Sequence, residues 1–236
     1  MLDPSEQINS KERYKFYKQA DIVAYSVYPT FKGKLRALVM DFSYRYSRVL
    51  RRYEYVKNCK KGVLGRLELF FIVFIFRRLM FQTCYRVPPN VLAPGCCLHG
   101  LGPITINRGA SIGENTRIHV GVHIGPKGGY ANAAPKIGKN CYLGPGSKLF
   151  GDITLSDCTA VGANSVVTKS CEKSNVLLVG APATVKREDL DVFSLIIPST
   201  LIARLDPEER RAISRRPSLE VKKYLVEKGY LEEFKS

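Results

Sequence analysis

ASIGENTRIHVGVHIG, residues 110–125, carries an isoleucine at every sixth position: Ile112, Ile118 and Ile124, with Ile106 one step earlier. After an interruption the phase resumes in KIGKNCYLGPGSKLFGDITLSDCTAVGANSVV (136–167), at Ile137, Leu143, Leu149, Leu155, Val161 and Val167. A period of six suits neither a helix, which repeats every 3.6 residues, nor a strand, which repeats every two, so it marks an internal repeat. Around each aliphatic the chemistry also recurs. A small residue stands two places earlier (Ala110, Thr116, Cys141, Ser147, Thr159, Ser165) and glycine often follows (Gly113, Gly125, Gly138, Gly144, Gly162). Each hexad therefore reads as a short strand followed by a corner.

Three such hexads close a triangular coil of about eighteen residues, in which each aliphatic stacks on its copy in the next coil to build a continuous apolar column. The fold class that follows is β: a single-stranded left-handed parallel β-helix of hexapeptide repeats. Asn107, Asn115, Asn140 and Asn164 suit its corners, because asparagine tolerates left-handed backbone angles better than other residues with a side chain. From Ile124 to Ile137 the step is thirteen rather than twelve, so PKGGYANAAP (126–135) breaks phase and reads as a loop protruding from the prism.

The 236 residues are 45% hydrophobic, enough for one cored domain with flanking elements. The pattern divides them into a helical N-terminal region (1–85), the β-helix (86–186) and a helical C-terminal extension (187–236). Leu35, Leu38, Val39, Phe42, Tyr46, Val49, Leu50 and Tyr53 follow the spacing of one helix face through about residue 56. A shorter helix is expected over about 11–26 and another over about 64–83. Val87-Pro88-Pro89-Asn90 ends helical structure, since proline lacks an amide donor. Beyond Val167 the repeat dissolves at Lys169-Ser170-Cys171, and Gly180-Ala181-Pro182-Ala183 marks the exit from the prism. Asp206-Pro207-Glu208-Glu209 starts one helix in the tail, and Pro217 another that runs to about 234.

A formal charge of +16 attracts polyanions. The basic residues cluster ahead of the repeat, at Arg36, Arg45, Arg48, Arg51, Arg52, Lys57, Lys60 and Lys61, without any nucleic-acid-binding motif, so no specific nucleic-acid partner is expected. A phosphate-bearing co-substrate, an anionic lipid or a glycan fits the charge equally. LFFIVFIF (69–76) is too short to span a bilayer and reads as a buried helix. With Arg66, Arg77 and Arg78 beside it, peripheral contact with a membrane surface is the alternative. Seven cysteines without a CxxC pair favour neither a disulfide framework nor a zinc site, and no metal is expected. Reduced thiols and the charged start, Asp3, Glu6 and Lys11, point to the cytoplasm.

The segments RRYEYVKNCKK (51–61), VPPNVLAPG (87–95), GPITIN (102–107), ASIGENTRIHVGVHIG (110–125), APKIGKNCYLGPGSKLFGDI (134–153), VGANSVVTKS (161–170) and VGAPA (179–183) resemble the hexapeptide-repeat acyltransferases. The likeness is to the serine acetyltransferase-like branch associated with polysaccharide biosynthesis. It implies a homotrimer that binds acetyl-CoA as co-substrate between neighbouring prisms and O-acetylates a hydroxyl of serine or of a glycan precursor. N-acetylation of an amino sugar and a non-catalytic trimeric scaffold are the alternatives.

A hydroxyl attacking a thioester needs one general base, and imidazole serves. His99 lies in the first coil, where similar enzymes carry their catalytic histidine, one place before the matching position at Gly100. His119 follows the inward Ile118, and His123 points outward. The catalytic candidates are His99 and then His119. The resemblance assigns the acyl donor to Gly144, Gly162, Ala163, Lys169 and Gly180, with Lys148 a further phosphate contact. Two features of serine acetyltransferases proper are replaced: an Asp by Tyr85, and an Arg-His pair that holds the serine carboxylate by Ala133-Ala134.

Overall fold

The structure, a computed structural model, describes residues 1–130, 133–213 and 216–231. Four helices open the chain: α1 (Lys11–Ala24), α2 (Phe31–Met40), α3 (Phe42–Cys59) and α4 (Gly62–Thr83). The single helix expected from Leu35 to about residue 56 is in fact two. Asp41 takes extended backbone angles, ends α2 and caps α3, its carboxylate accepting the Tyr44 N–H at 2.9 Å. The apolar spacing runs in phase through this break, so periodicity alone does not reveal it. Only the α3 half of the stripe is covered: Tyr46 and Leu50 are buried, whereas α2 buries no residue.

The second correction concerns α4, which is not a buried helix. Ile72, Phe76 and Leu79 pack inward, with Phe76 against Tyr46 and Tyr53 of α3, while Phe70, Phe71, Phe74 and Phe81 face outward. One neighbouring layer covers one face, and this helix is apolar all round.

The prism follows in successive coils. β1 (Tyr85–Arg86) leads into β2 (Cys97–His99), β3 (Ile104–Ile106) and β4 (Ser111–Ile112). The next coil holds β5 (Arg117–His119), β6 (His123–Gly125) and β7 (Lys136–Ile137). Then come β8 (Tyr142–Leu143), β9 (Lys148–Phe150) and β10 (Thr154–Leu155), followed by β11 (Thr159–Val161) and β12 (Val166–Val167). A further strand, β13 (Val176–Gly180), completes the run. Like strands pair in parallel into three sheets: β1-β3-β6-β9-β12, β10-β7-β4, and β13-β11-β8-β5-β2. The left-handed parallel β-helix expected from the hexads is the fold. Their ten aliphatics form its column, none more than 4% exposed, with Ile118 opposite Leu143 and Val161 opposite Leu178.

Asn115, Asn140 and Asn164 turn corners at φ 60, 55 and 55°, and Asn115 Nδ2 donates to Asn140 Oδ1 at 2.8 Å. Asn107 does not adopt that conformation. Its side chain instead accepts the Gly109 N–H at 2.8 Å. The glycines after each aliphatic serve close stacking rather than a left-handed turn: a Cβ on Gly144 would lie 2.7 Å from the Val161 carbonyl oxygen. The hexads do not predict β13, because Leu178 follows Val161 by seventeen residues and slips the six-residue phase. It turns back as β14 (Ala183–Arg187), the one antiparallel partner among the described strands.

The tail folds as α5 (Ser199–Arg204), α6 (Pro207–Ile213) and α7 (Ser218–Glu227), joined by Ile202, Ile213, Val221 and Leu225. Asp206 caps α6 by accepting the Glu208 and Glu209 N–H groups. The last helix ends at Glu227, short of residue 234, which lies outside the described residues. Arg51 ties α1, α3 and the first coil together and is not part of a solvated basic face. Its guanidinium is 1% exposed, 2.9 Å from Asp21 and 3.1 Å from Glu54, and it donates to the Leu92 and Ala93 carbonyls. Asp21 also accepts from Ser47 and the Gly95 N–H, and Glu54 from the Asn90 N–H. With every group partnered, the cluster holds the approach to β2 in place.

Candidate active site

Strand alternation sends Leu98 and Ile118 into the column and leaves His99, Arg117 and His119 on the outer face of the same sheet. Register then sets His99 opposite His119, with ring centroids 4.8 Å apart, and His119 lies 4.9 Å from the Tyr142 ring one coil on. Arg117 Nη2 is 3.4 Å from both ring nitrogens of His99. The chain leaves the strand at once: Gly100 has φ +87°, and its carbonyl accepts from Tyr85 Oη at 2.5 Å. Tyr85 in turn shares a 2.7 Å hydrogen bond with Ser43 Oγ. The tyrosine at the position of the missing Asp thus fixes the corner next to His99.

His99 and Arg117 open onto a cavity of about 570 Å³ between the first coil, the start of α3 and the segment before α5, walled also by Met40, Asp41, Leu101 and Ile197. Burial, and then the Arg117 charge, hold the His99 imidazole below its ordinary pKa, while Asp41 pulls the other way. His119 is driven to about 4 by burial, by Arg117 and by His99. Both rings are therefore neutral near pH 7 and able to accept a proton. Burial pushes the Cys96 and Cys97 thiols up to about 12, so they stay protonated and serve packing.

The structure brings His99 and His119 together and leaves His123 apart, on the adjoining sheet against Phe150. Gly144, Gly162 and Ala163 follow strands of the His99 sheet and Gly180 ends its strand β13, along the edge by which the chain leaves the sheet in successive coils. A Cβ on Gly144 would meet Gly162, and one on Gly162 would meet Val179. Lys169 is not on that edge. It follows β12, one corner further round the prism, and is exposed, as is Lys148 on β9. Sequence reasoning misses Asp41, and it offers Arg117, with Lys136, only as a substitute contact for a serine carboxylate and not as the neighbour of His99. Asp41's break of the apolar run is visible in sequence only as a capping residue, and Arg117 only as the outward neighbour two places before His119.

No family model matches the chain. Among curated proteins, a serine acetyltransferase of Staphylococcus epidermidis is 35% identical over 92 residues, covering 39% of this chain and 42% of the relative. The chain thus spans less than half the length of that relative. Among solved structures, serine acetyltransferase from Neisseria gonorrhoeae superposes with a TM-score of 0.61 at 22% identity, over 77% of this chain and 69% of that one. The Brucella abortus serine acetyltransferase gives 0.57 at 24% identity over 75% and 70%. In complex with coenzyme A the same protein gives 0.54 at 23% identity over 75% and 67%. The chain has the serine acetyltransferase fold. On that fold His99 and His119 sit in the first two coils, and the glycine edge runs on from them toward the C-terminal coils.

Proposed function

We propose that the chain is an acetyl-CoA-dependent O-acetyltransferase in which residues 86–186 form the acyltransferase unit and His99 is the general base. The observation that carries this reading is His99 itself, a neutral imidazole at the end of β2 that opens onto the 570 Å³ cavity beside Arg117. The acceptor hydroxyl attacks the thioester carbonyl as its proton passes to the imidazole. The tetrahedral intermediate then collapses, the carbon–sulfur bond breaks, and the CoA thiolate takes the proton back from His99. Arg117 supplies positive charge next to the reacting centre, either for the oxyanion or for an anionic group on the acceptor.

The donor's pantetheine arm lies along the edge of Gly144, Gly162, Ala163 and Gly180, a row of residues with little or no side chain on closely stacked coils. The fold-sharing Brucella abortus protein solved with coenzyme A supports this choice of donor. Three copies, with the groove between neighbouring prisms, are the assembly this reading requires, and the sedimenting mass decides it. Serine and the hydroxyl of a glycan precursor are the candidate acceptors. Ala133 and Ala134 offer a carboxylate no charge-assisted bond, so serine depends on Arg117 for its recognition.

The test is acetyl-CoA turnover with serine and with a panel of nucleotide sugars. His99→Ala is expected to lower kcat by about 10²-fold or more with the circular dichroism unchanged. Turnover by that variant within a few-fold of the parent would move the base elsewhere, and loss only in His119→Ala would move it one coil along.

A further inference from the structure

The helical layer exposes more apolar surface than a solvated protein tolerates, in company with cations and almost without acids. On α4, Val63, Leu64, Phe70, Phe74 and Phe81 are between 67% and 85% exposed, on the side opposite Ile72 and Phe76. Arg66, Arg77 and Arg78 stand among them, and none pairs with a carboxylate among the described residues. The one acid of α4, Glu68, is already taken by Arg52 and Lys60. On α2, Phe31, Leu35 and Val39 recur every fourth residue along one exposed ridge, alternating with Lys32, Lys34 and Arg36 and with no acid in the helix.

Basic residues of neighbouring helices add to the positive charge of this layer. Lys18 of α1 is held below its ordinary pKa by burial and by the charges of Arg48, Arg52, Lys34 and Lys15, and with Lys15 and Lys34 it lines a cavity that reaches Ile197 and Arg210. Large exposed apolar surface marks an interaction site, and a basic, apolar-faced helix is the form that lies in a lipid interface. No helix among the described residues is long and apolar enough to cross a membrane.

We propose that α2 and α4 dock the protein on an anionic bilayer surface, the outward side chains of Phe31, Leu35, Phe70 and Phe74 entering the headgroup region and the exposed Lys32, Arg36, Arg66, Arg77 and Arg78 facing the lipid phosphates. Charge selects this occupant over a second copy of the chain. A second copy would bring the same Arg66, Arg77 and Arg78 against themselves, whereas a phospholipid surface with negative headgroups attracts all of them at once. The attraction acts within a Debye length, so it weakens as salt rises.

Flotation with phosphatidylcholine vesicles, with and without phosphatidylglycerol, tests this on the full chain. The protein is expected to float with the anionic vesicles, to remain behind with phosphatidylcholine alone, and to be released by high salt. The pairs F70S with F74S, F31S with L35S, and R77E with R78E should each weaken binding by about tenfold or more. Because serine and charge substitutions can unsettle the fold, Phe74→Trp provides a second readout: its indole fluorescence, the chain having no other tryptophan, should be quenched by lipids brominated in the acyl chain. Absence of flotation, equal flotation on neutral vesicles, or unquenched indole emission from the Phe74→Trp variant would each overturn the proposal. So would a fall in sedimenting mass in the F70S with F74S variant, which would make the face a contact between copies.

Discussion

Protonating His119 adds charge to a half-buried ring already faced by Arg117 and His99, so its pKa falls to about 4. In the unfolded chain the ordinary value is about 6.5, and between these two values the unfolded state takes up the proton that the native state refuses. The sign follows. The ring leaves stability unaffected above about pH 6.5 and draws it down as pH falls towards 4. His119→Gln, which does not titrate, should narrow the drop in melting temperature between about pH 7 and about pH 4.5. A drop as wide as the parent's would assign the acid sensitivity to other groups. That His99 and His119 belong to neighbouring coils is legible from the repeat, although their exact register is not, since twenty residues separate them where the six-residue phase allows eighteen. The neighbourhood of Arg117 and Asp41 is not legible. It depends on how α3 docks on the first coil, and docking has no local sequence signal.

At the level of elements, the hexads write out the prism because one physical requirement, an aliphatic at each face centre, repeats at every strand. The helices carry no such redundancy. Phe42 and Tyr46 continue the stripe begun at Leu35 and Leu38, yet Asp41 diverts the chain, since its carboxylate serves the Tyr44 N–H better as a cap than as a mid-helix side chain. Asp41→Ala should cost about 0.5–2 kcal/mol of stability through the lost cap, measurable by urea denaturation, and Asp41→Asn should recover most of it. If both variants were equally unstable, the charge that Asp41 presents to His99, rather than the cap, would be its contribution. The same lack of redundancy hides β13, where a single missing residue between Val161 and Leu178 is enough to lose the phase.

For the molecule as a whole, the helices and the prism are joined by a few buried polar contacts. Arg51 clamps α1 and α3 to the turn before β2, so the cavity in front of His99 has a wall supplied by residues nearly sixty positions away in sequence. That wall is why the site is only half visible from the repeat. The far end of the prism has a different duty. A parallel coil that simply stopped would present a row of unpaired amides and carbonyls at its last rung, a template on which another molecule could continue the column. Here β13 doubles back, and β14 offers outward the exposed Lys186 and Arg187 in place of a further aliphatic rung. On that face of the prism the hairpin is placed to act as a terminator of growth, putting charge where a further rung would have to add. Lys186→Val with Arg187→Val should turn a clear solution progressively light-scattering while the parent stays clear, and an equally clear double variant would show that the antiparallel turn alone suffices.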